Sequence, residues 1–326
     1  MKHRVGIEAL AVAAPRRYLA IEDLAVARGV APEKYTVGLG AREMAVAGPG
    51  EDTVALAATA AARLLRMPGV DAASIGMLVV GTETGVDHSK PVASFVQGLV
   101  GLPRTMRKFD TQHACYGGTA ALMAACDWIA SGNADGRTAL VICSDIARCG
   151  VNSAGEPAQG GAAVARRVSD RPEVLALDHG LSGVSSTDVH DFWRPLGRRE
   201  ALVDGHYSIE CYLDAVAGAY RAWRQRATER ELLRDGPTYR SEQLARIVYH
   251  VPFYKMARKA HAHIRTCELA DMGGIAFDAA ALAREASPAS NPRLRRRSCS
   301  RVGSATPKRA RSTSALPASS TRRAPS

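Results

Sequence analysis

The chain has 326 residues, enough for one large or two ordinary domains with a sizeable core, and is 46% hydrophobic but only 5% aromatic, so Ala, Val and Leu must do the packing. Its net charge of +11 sits in the C-terminus: residues 287–326 carry ten Lys or Arg and no Asp or Glu, leaving 33 basic against 32 acidic residues before them. A body so nearly neutral removes the charge argument for a nucleic-acid partner.

No stretch approaches the roughly 20 apolar residues that span a bilayer. The opening MKHRVGIEALAVAAP imitates a signal peptide, but Glu8 interrupts its apolar run. Seven cysteines (115, 126, 143, 149, 211, 267 and 299) are odd in number and lack the close pairing of a metal site. They read as reduced thiols of a cytoplasmic protein.

In chain order, residues 5–14 read as a strand ended by Pro15, and 21–28 as a short helix stopped by Gly29. Residues 52–66 have helical periodicity. Residues 75–80 form a buried apolar strand with GTET (81–84) as its exit, and 94–99 a short helix. A longer helix spans 118–130. A second buried strand spans 139–142, with SDIA (144–147) as its exit. The glycine-rich turn NSAGEPAQGG (152–161) precedes two strands, AAVARRV and EVLALD. An amphipathic helix covers 209–224, another starts at 241–246, a short strand at 247–250 delivers His250, and helix resumes over 255–264. Strands alternating with helices predict a layered α/β architecture, in which chemistry sits at the ends of buried strands. After residue 286 the periodicity stops, and by composition 287–326 is a disordered basic tail.

Cys115, in HACYGGTAAL, lies just ahead of a helix start, where backbone N–H groups and the helix dipole lower a thiol pKa. Gly117 and Gly118 would leave N–H groups free for an oxyanion hole. The competing reading is a small buried cysteine. Glu83 stands at the mouth of an apolar strand, where burial raises a carboxyl pKa toward that of a general base; the plainer reading is a solvated loop residue. His250 has apolar flanks that suggest burial, either to donate to a carbonyl oxygen or as a satisfied core histidine. Lys255 and Lys259 share a helix face and with Arg258 can grip a phosphate, or form an ordinary solvated face. Asp145 and Asp191 leave apolar segments as anchors, caps or turn residues, and Asn152 opens a turn.

Eight stretches occur together in one order: VGLGAREMAV (37–46), VVGTET (79–84), HACYGGTAAL (113–122), SDIA, GEPAQGGAAVA (155–165), DFWRP (191–195), LVDGHYS (202–208) and HVPFYKMARKA (250–260). In these, residues 3–265 resemble the 3-hydroxy-3-methylglutaryl-CoA synthases, condensing enzymes of thiolase-like fold. The resemblance implies an αβαβα layered fold with two related halves: 1–165 with the catalytic Glu and Cys, and 166–286 with the His and a CoA-binding helix. It implies that Cys115 is acetylated by acetyl-CoA, that Glu83 is general base and acid, and that His250 positions acetoacetyl-CoA. It further implies that Asn152, Ser208, Lys255 and Lys259 contact the CoA substrates, with Asp145 and Asp191 in support. The implied activity is an acyltransferase step of the mevalonate route to isoprenoids, in a homodimer, with CoA thioesters as substrates and no metal or other cofactor.

The sequence departs from the family in three places. Cys149 stands where a tyrosine is usual, and Ala158 where a threonine often follows the proline. The NxYTGSLYL-like motif of the family's C-terminus does not occur, which implies a truncated or frameshifted end and an incomplete second half. Two other readings stand beside the first: a polyketide β-branching synthase acting on carrier-protein-bound substrates, and an inactive truncated remnant.

Overall fold

The computed structural model describes residues 4–233 and 240–271. The tail expected at 287–326 lies outside the described residues. The chain opens with β1 (Val5–Ala13) and β2 (Arg17–Ala20), then α1 (Ile21–Ala27) and α2 (Glu33–Thr36), and returns in β3 (Glu43–Val46), which pairs antiparallel with β2. α3 (Thr53–Leu65) starts where the Asp52 side chain accepts the Ala55 N–H at 2.7 Å, an N-cap. There follow β4 (Ile75–Gly81), α4 (Val92–Val100), β5 (Arg107–Thr111), α5 (Gly117–Ala130), β6 (Thr138–Ala147), β7 (Gly160–Ser169) and β8 (Leu175–Leu177).

Six of these strands form one mixed sheet in the order β5-β4-β6-β7-β1-β8, parallel at β4–β5 and β4–β6 and antiparallel elsewhere. Every residue of β4 is buried, as a parallel strand between helical layers requires. Its side chains alternate between the faces. Leu78 and Val80 pack with Ala57, Ala60 and Leu64 of α3 and Val92 and Val96 of α4, whereas Met77 and Val79 pack with Ala121, Ala125 and Trp128 of α5. The alanines on α3 bring that helix close to the sheet. Each buried Val or Leu contributes about 1.5–3 kcal/mol relative to exposure.

β6 is longer than its apolar run suggests. SDIA is not an exit but part of the strand, because β7 continues to pair with it: Ser144 opposes Ala163 and Ala147 opposes Gly160.

Beyond β8 lie the two-stranded ribbon β9 (Phe192–Trp193) and β10 (Leu202–Val203), and two packed helices, α6 (Gly205–Glu229) and α7 (Met256–Asp271). The described residues of this half hold no second large sheet. Residues 241–246 do not start an α-helix. They make one 3-10 turn, Arg240–Gln243, because Ser241 is held by buried Glu268 of α7 through its N–H (2.8 Å) and Oγ (2.6 Å). Nor is 247–250 a strand. Side chains satisfy it instead: the Tyr212 hydroxyl donates to the His250 carbonyl at 2.8 Å, and Tyr249 Oη lies 2.9 Å from His261 Nδ1. Lys255 precedes α7, although its carbonyl still accepts the Lys259 N–H at 3.2 Å. Among the described residues no helix is long and apolar enough to cross a membrane.

Candidate active site

The parallel register of β4, β5 and β6 brings their C-terminal ends to one edge, with Gly81 opposite both Thr111 and Cys143. The first turn of α5 sits directly on this edge, and glycines make that possible. A Cβ on Gly81 would lie 2.5 Å from Gly118 N, and one on Gly118 would lie 2.0 Å from Cys143 Sγ. The Thr111 hydroxyl donates to the Gly117 carbonyl at 2.7 Å, and the Thr82 N–H donates to the Thr111 carbonyl at 3.1 Å.

Cys115 lies in a single 3-10 turn, Ala114–Tyr116, that runs into α5. Ala114 has φ +35°, a left-handed conformation unfavourable for a residue with a Cβ, and such strain collects at functional turns. The N–H groups of Tyr116 and Gly117 both donate to the His113 carbonyl (2.8 and 3.0 Å). The Gly117 N–H is therefore not free to form the expected oxyanion hole.

Glu83 follows the last residue of β4 by two positions and is held through its backbone. Asp145 Oδ1 accepts from the Glu83 N–H (2.9 Å), the Thr84 N–H (3.1 Å), the Thr82 hydroxyl (2.9 Å) and the Thr84 hydroxyl (2.7 Å). The Thr84 carbonyl in turn accepts from Thr53 Oγ1 at 2.8 Å. Burial first, and then the charge of Asp145, raises the Glu83 carboxyl pKa above its ordinary value, while Arg194 opposes the rise.

The thiol of Cys115 corrects the expectation of a lowered pKa. The residue is exposed, yet the protein around its sulfur desolvates it, and Glu83, Asp145 and Asp191 add unfavourable charge; together they push the pKa up to about 11. A hydrogen bond from the cysteine's own N–H works the other way without prevailing. Cys149 is raised as well, by burial and then by Glu83 and Glu156, so a second thiol lies within the electrostatic reach of Glu83.

Asp191 joins this centre to the second half. Its Oδ2 accepts from the Ser208 hydroxyl at 2.9 Å, and its carbonyl accepts from the Asp204 N–H at 3.0 Å. Asp204 caps α6 by accepting the Tyr207 N–H at 3.1 Å.

The remaining candidates lie apart from that cluster in their contacts. His250 is exposed rather than buried, and its neighbour Val248 is 92% exposed, so the apolar flanks do not pack. Its ring lies 6.3 Å from that of Tyr212, and desolvation by surrounding protein holds its pKa below the usual imidazole value. Lys259 Nζ lies 5.9 Å from the Phe253 ring centre, and Tyr254 packs on Gly40 (φ +76°), joining the 250–260 stretch to the 37–46 stretch. Asn152 adopts φ +63° and donates its N–H to Glu156 Oε2 at 2.9 Å; Glu156 also receives Arg28 (2.6 and 2.9 Å). Among the described residues no side-chain hydrogen bond or ion pair links His250, Lys255, Lys259 or Asn152 to Glu83 or Cys115. Sequence reasoning missed Arg194 as a neighbour of Glu83, although it stands inside the DFWRP stretch, and missed the threonines that flank Glu83.

Together the mixed sheet, the helices on both its faces and the strand-end site define a thiolase-like α/β protein. Residues 1–172 match the family model of the hydroxymethylglutaryl-coenzyme A synthase N terminal, and residues 175–272 that of the C terminal. The hydroxymethylglutaryl-CoA synthase of Enterococcus faecalis is 36% identical over 256 residues, 78% of this chain and 63% of the relative. A solved structure described as MvaS in complex with 3-hydroxy-3-methylglutaryl coenzyme A is 67% identical, with a TM-score of 0.85 over 89% of this chain and 70% of that one. The curacin pathway HMG synthase in complex with an acetyl donor-ACP is 32% identical, with a TM-score of 0.74 over 86% of this chain and 66% of that one. The chain belongs to the hydroxymethylglutaryl-CoA synthase family. It spans between 52% and 63% of the length of the first curated relatives it matches.

Proposed function

We propose that this chain condenses acetyl-CoA with acetoacetyl-CoA and water to give 3-hydroxy-3-methylglutaryl-CoA and CoA. The observation that carries the proposal is the convergence of Glu83 and Cys115 at the shared end of β4 and β5, close enough that each carboxylate charge registers at the thiol. In the first step the Cys115 sulfur attacks the acetyl thioester, the C–S bond to CoA breaks, and the thiol proton leaves with the CoA thiolate. Glu83 then removes a proton from the acetyl methyl, the resulting carbanion attacks C3 of acetoacetyl-CoA, and Glu83 returns its proton to the new alkoxide. Hydrolysis of the Cys115 thioester releases a free carboxylate and restores the thiol. A raised Glu83 pKa suits both halves of this role, since it makes the carboxylate a stronger base and leaves the proton it has taken available for return to the alkoxide.

The supporting roles belong to the same proposal. Asp145 holds the Glu83 backbone; Asp191 and Ser208 tie the centre to α6; His250 orients acetoacetyl-CoA; Asn152, Lys255 and Lys259 contact the CoA. No metal or other cofactor is needed for these steps. The division into two halves, expected at 1–165 and 166–286, falls inside β7, and β7 and β8 both belong to the sheet of the first half. Homodimerisation, with two copies pairing across their sheets, belongs to the same proposal. The six free cysteines among the described residues suit a cytoplasmic protein of the mevalonate pathway.

The test is turnover. Purified chain given acetyl-CoA should consume acetoacetyl-CoA, and Cys115→Ala should not. The likeness to a synthase in complex with an acetyl donor-ACP supports one second reading, a polyketide β-branching synthase whose substrates arrive on carrier proteins. Faster consumption of the carrier-bound than of the CoA-bound substrate would favour it. A cooperatively folded chain that used neither would support the inactive-remnant reading.

A further inference from the structure

A cavity of about 850 Å³ opens beside Glu83, within the size range of small-molecule sites. Its wall includes four arginines: Arg148, Arg194, Arg198 and Arg199. The backbone gathers them. Arg198 donates its N–H to the Pro195 carbonyl at 3.1 Å, and Gly197 takes φ +84°, so the chain turns back beside Arg194. The Ala201 N–H donates to the Arg148 carbonyl at 3.0 Å, and Cys149 bridges to Ala201, which stitches this loop to the end of β6.

The charges of the wall are unevenly satisfied. Asp52 accepts the Ala55 N–H, Asp87 those of Ser89 and Lys90, and Asp110 those of Val92 and Ala93. Three of the four acids lining the cavity are thus turned onto backbone donors, and the fourth is Glu83. By contrast, none of the four guanidinium groups makes a hydrogen bond or ion pair with a described residue. Arg194 is half-buried and is answered only through space, by the Glu83 carboxylate, with no hydrogen bond of its own to a described residue. Planar guanidiniums in a concave wall suit an oxyanion, which they bind bidentately.

The geometry points to an oxyanion site in this cavity that receives the free carboxylate released when the Cys115 thioester is hydrolysed. This rests on the proposed condensation, the only step of which that creates a carboxylate is that hydrolysis. Cys115 does not itself line the cavity, but Glu83, whose charge acts on the Cys115 sulfur, does. The new anion would be repelled by the Glu83 carboxylate and drawn past Arg194 toward the exposed Arg198 and Arg199.

Titration calorimetry of the full chain with 3-hydroxy-3-methylglutarate tests it. Binding should weaken about tenfold or more in an Arg198→Ala, Arg199→Ala double variant, which removes exposed side chains, and in Arg194→Gln. Added salt should weaken it too, and the uncharged dimethyl ester should not bind. Affinity unchanged in both variants, absence of binding at millimolar dicarboxylate, or equal binding of the diester would overturn the inference. Tighter binding of inorganic phosphate, lost in the same variants, would overturn the carboxylate assignment. Acetylation of Cys115 is read separately. An acetylated Cys115 without dicarboxylate binding defeats this site alone, whereas arginine-dependent binding without acetylation defeats the condensation reading and leaves the anion site standing.

Discussion

Asp145 accepts the backbone N–H of Glu83 at 2.9 Å and carries three further hydrogen bonds on the same oxygen, from Thr82 and Thr84. One carboxylate therefore shapes the turn that presents another, while its charge raises that neighbour's pKa. Asp145→Ala should lose about 3 kcal/mol of stability in urea melts, by leaving part-buried donors unanswered, and condensation with it. Asp145→Asn keeps an acceptor oxygen but removes the charge. The Glu83 pKa should then fall, and the rising acid limb of the condensation rate should move to lower pH, because Glu83 must be ionised to act as a base. A pH–rate profile checks the direction.

Removing the Glu83 charge should also change Cys115. Burial is the main cause of its pKa of about 11, and Glu83 is the next. In the free wild-type chain, alkylation of Cys115 by iodoacetamide should climb steeply between pH 9 and 11. In Glu83→Gln the curve should shift to lower pH without reaching that of a solvent-exposed thiol, since the desolvation remains. An unshifted curve would show that the two groups are not neighbours.

The glycine seat of α5 gives a coupled pair of substitutions. Gly118→Ala places a methyl 2.0 Å from Cys143 Sγ and should cost about 1–3 kcal/mol, with loss of Cys115 reactivity. Adding Cys143→Ala removes the sulfur and leaves Cβ of residue 143 at 3.4 Å, an ordinary contact. The double variant should recover part of the stability, and a double-mutant cycle of urea midpoints reads the coupling.

Stability should also fall at alkaline pH. Buried Cys126 is raised from 9.0 to about 11, chiefly by desolvation. Its folded pKa exceeds its unfolded one, so the stability it contributes is full below about pH 9 and is lost as pH rises through about 11. Cys126→Ala should flatten that slope in chemical melts at stepped pH.

Much of this molecule was legible in its sequence where the determinants are local. β4 is an uninterrupted apolar run and α3 has its cap and its period, so both were found within a residue or two. Glu83 and Cys115 were legible as residues at element ends. What was not legible depends on partners far along the chain. Residues 144–147 are strand because of β7. Ser241 leaves the helical pattern because Glu268, 27 residues on, takes both its hydrogen bonds. The sign of the Cys115 shift escaped for the same reason: its opposing carboxylates come from residues 83, 145 and 191, and only the fold adds them at one sulfur. Local sequence suggested a buried His250 through its valines, yet Val248 has nothing to pack against among the described residues.

The central claim is that Cys115 takes the acetyl group and Glu83 acts only afterwards. Mass spectrometry of the chain after exposure to acetyl-CoA, with and without an acetoacetyl-CoA chase, addresses it most directly. The wild type should carry one acetyl adduct, mapped to Cys115, and lose it on the chase. Glu83→Ala should acquire the same adduct and keep it. An adduct on another residue, a folded Glu83→Ala chain that never acetylates, or one that clears the adduct into product at the wild-type rate would contradict the account.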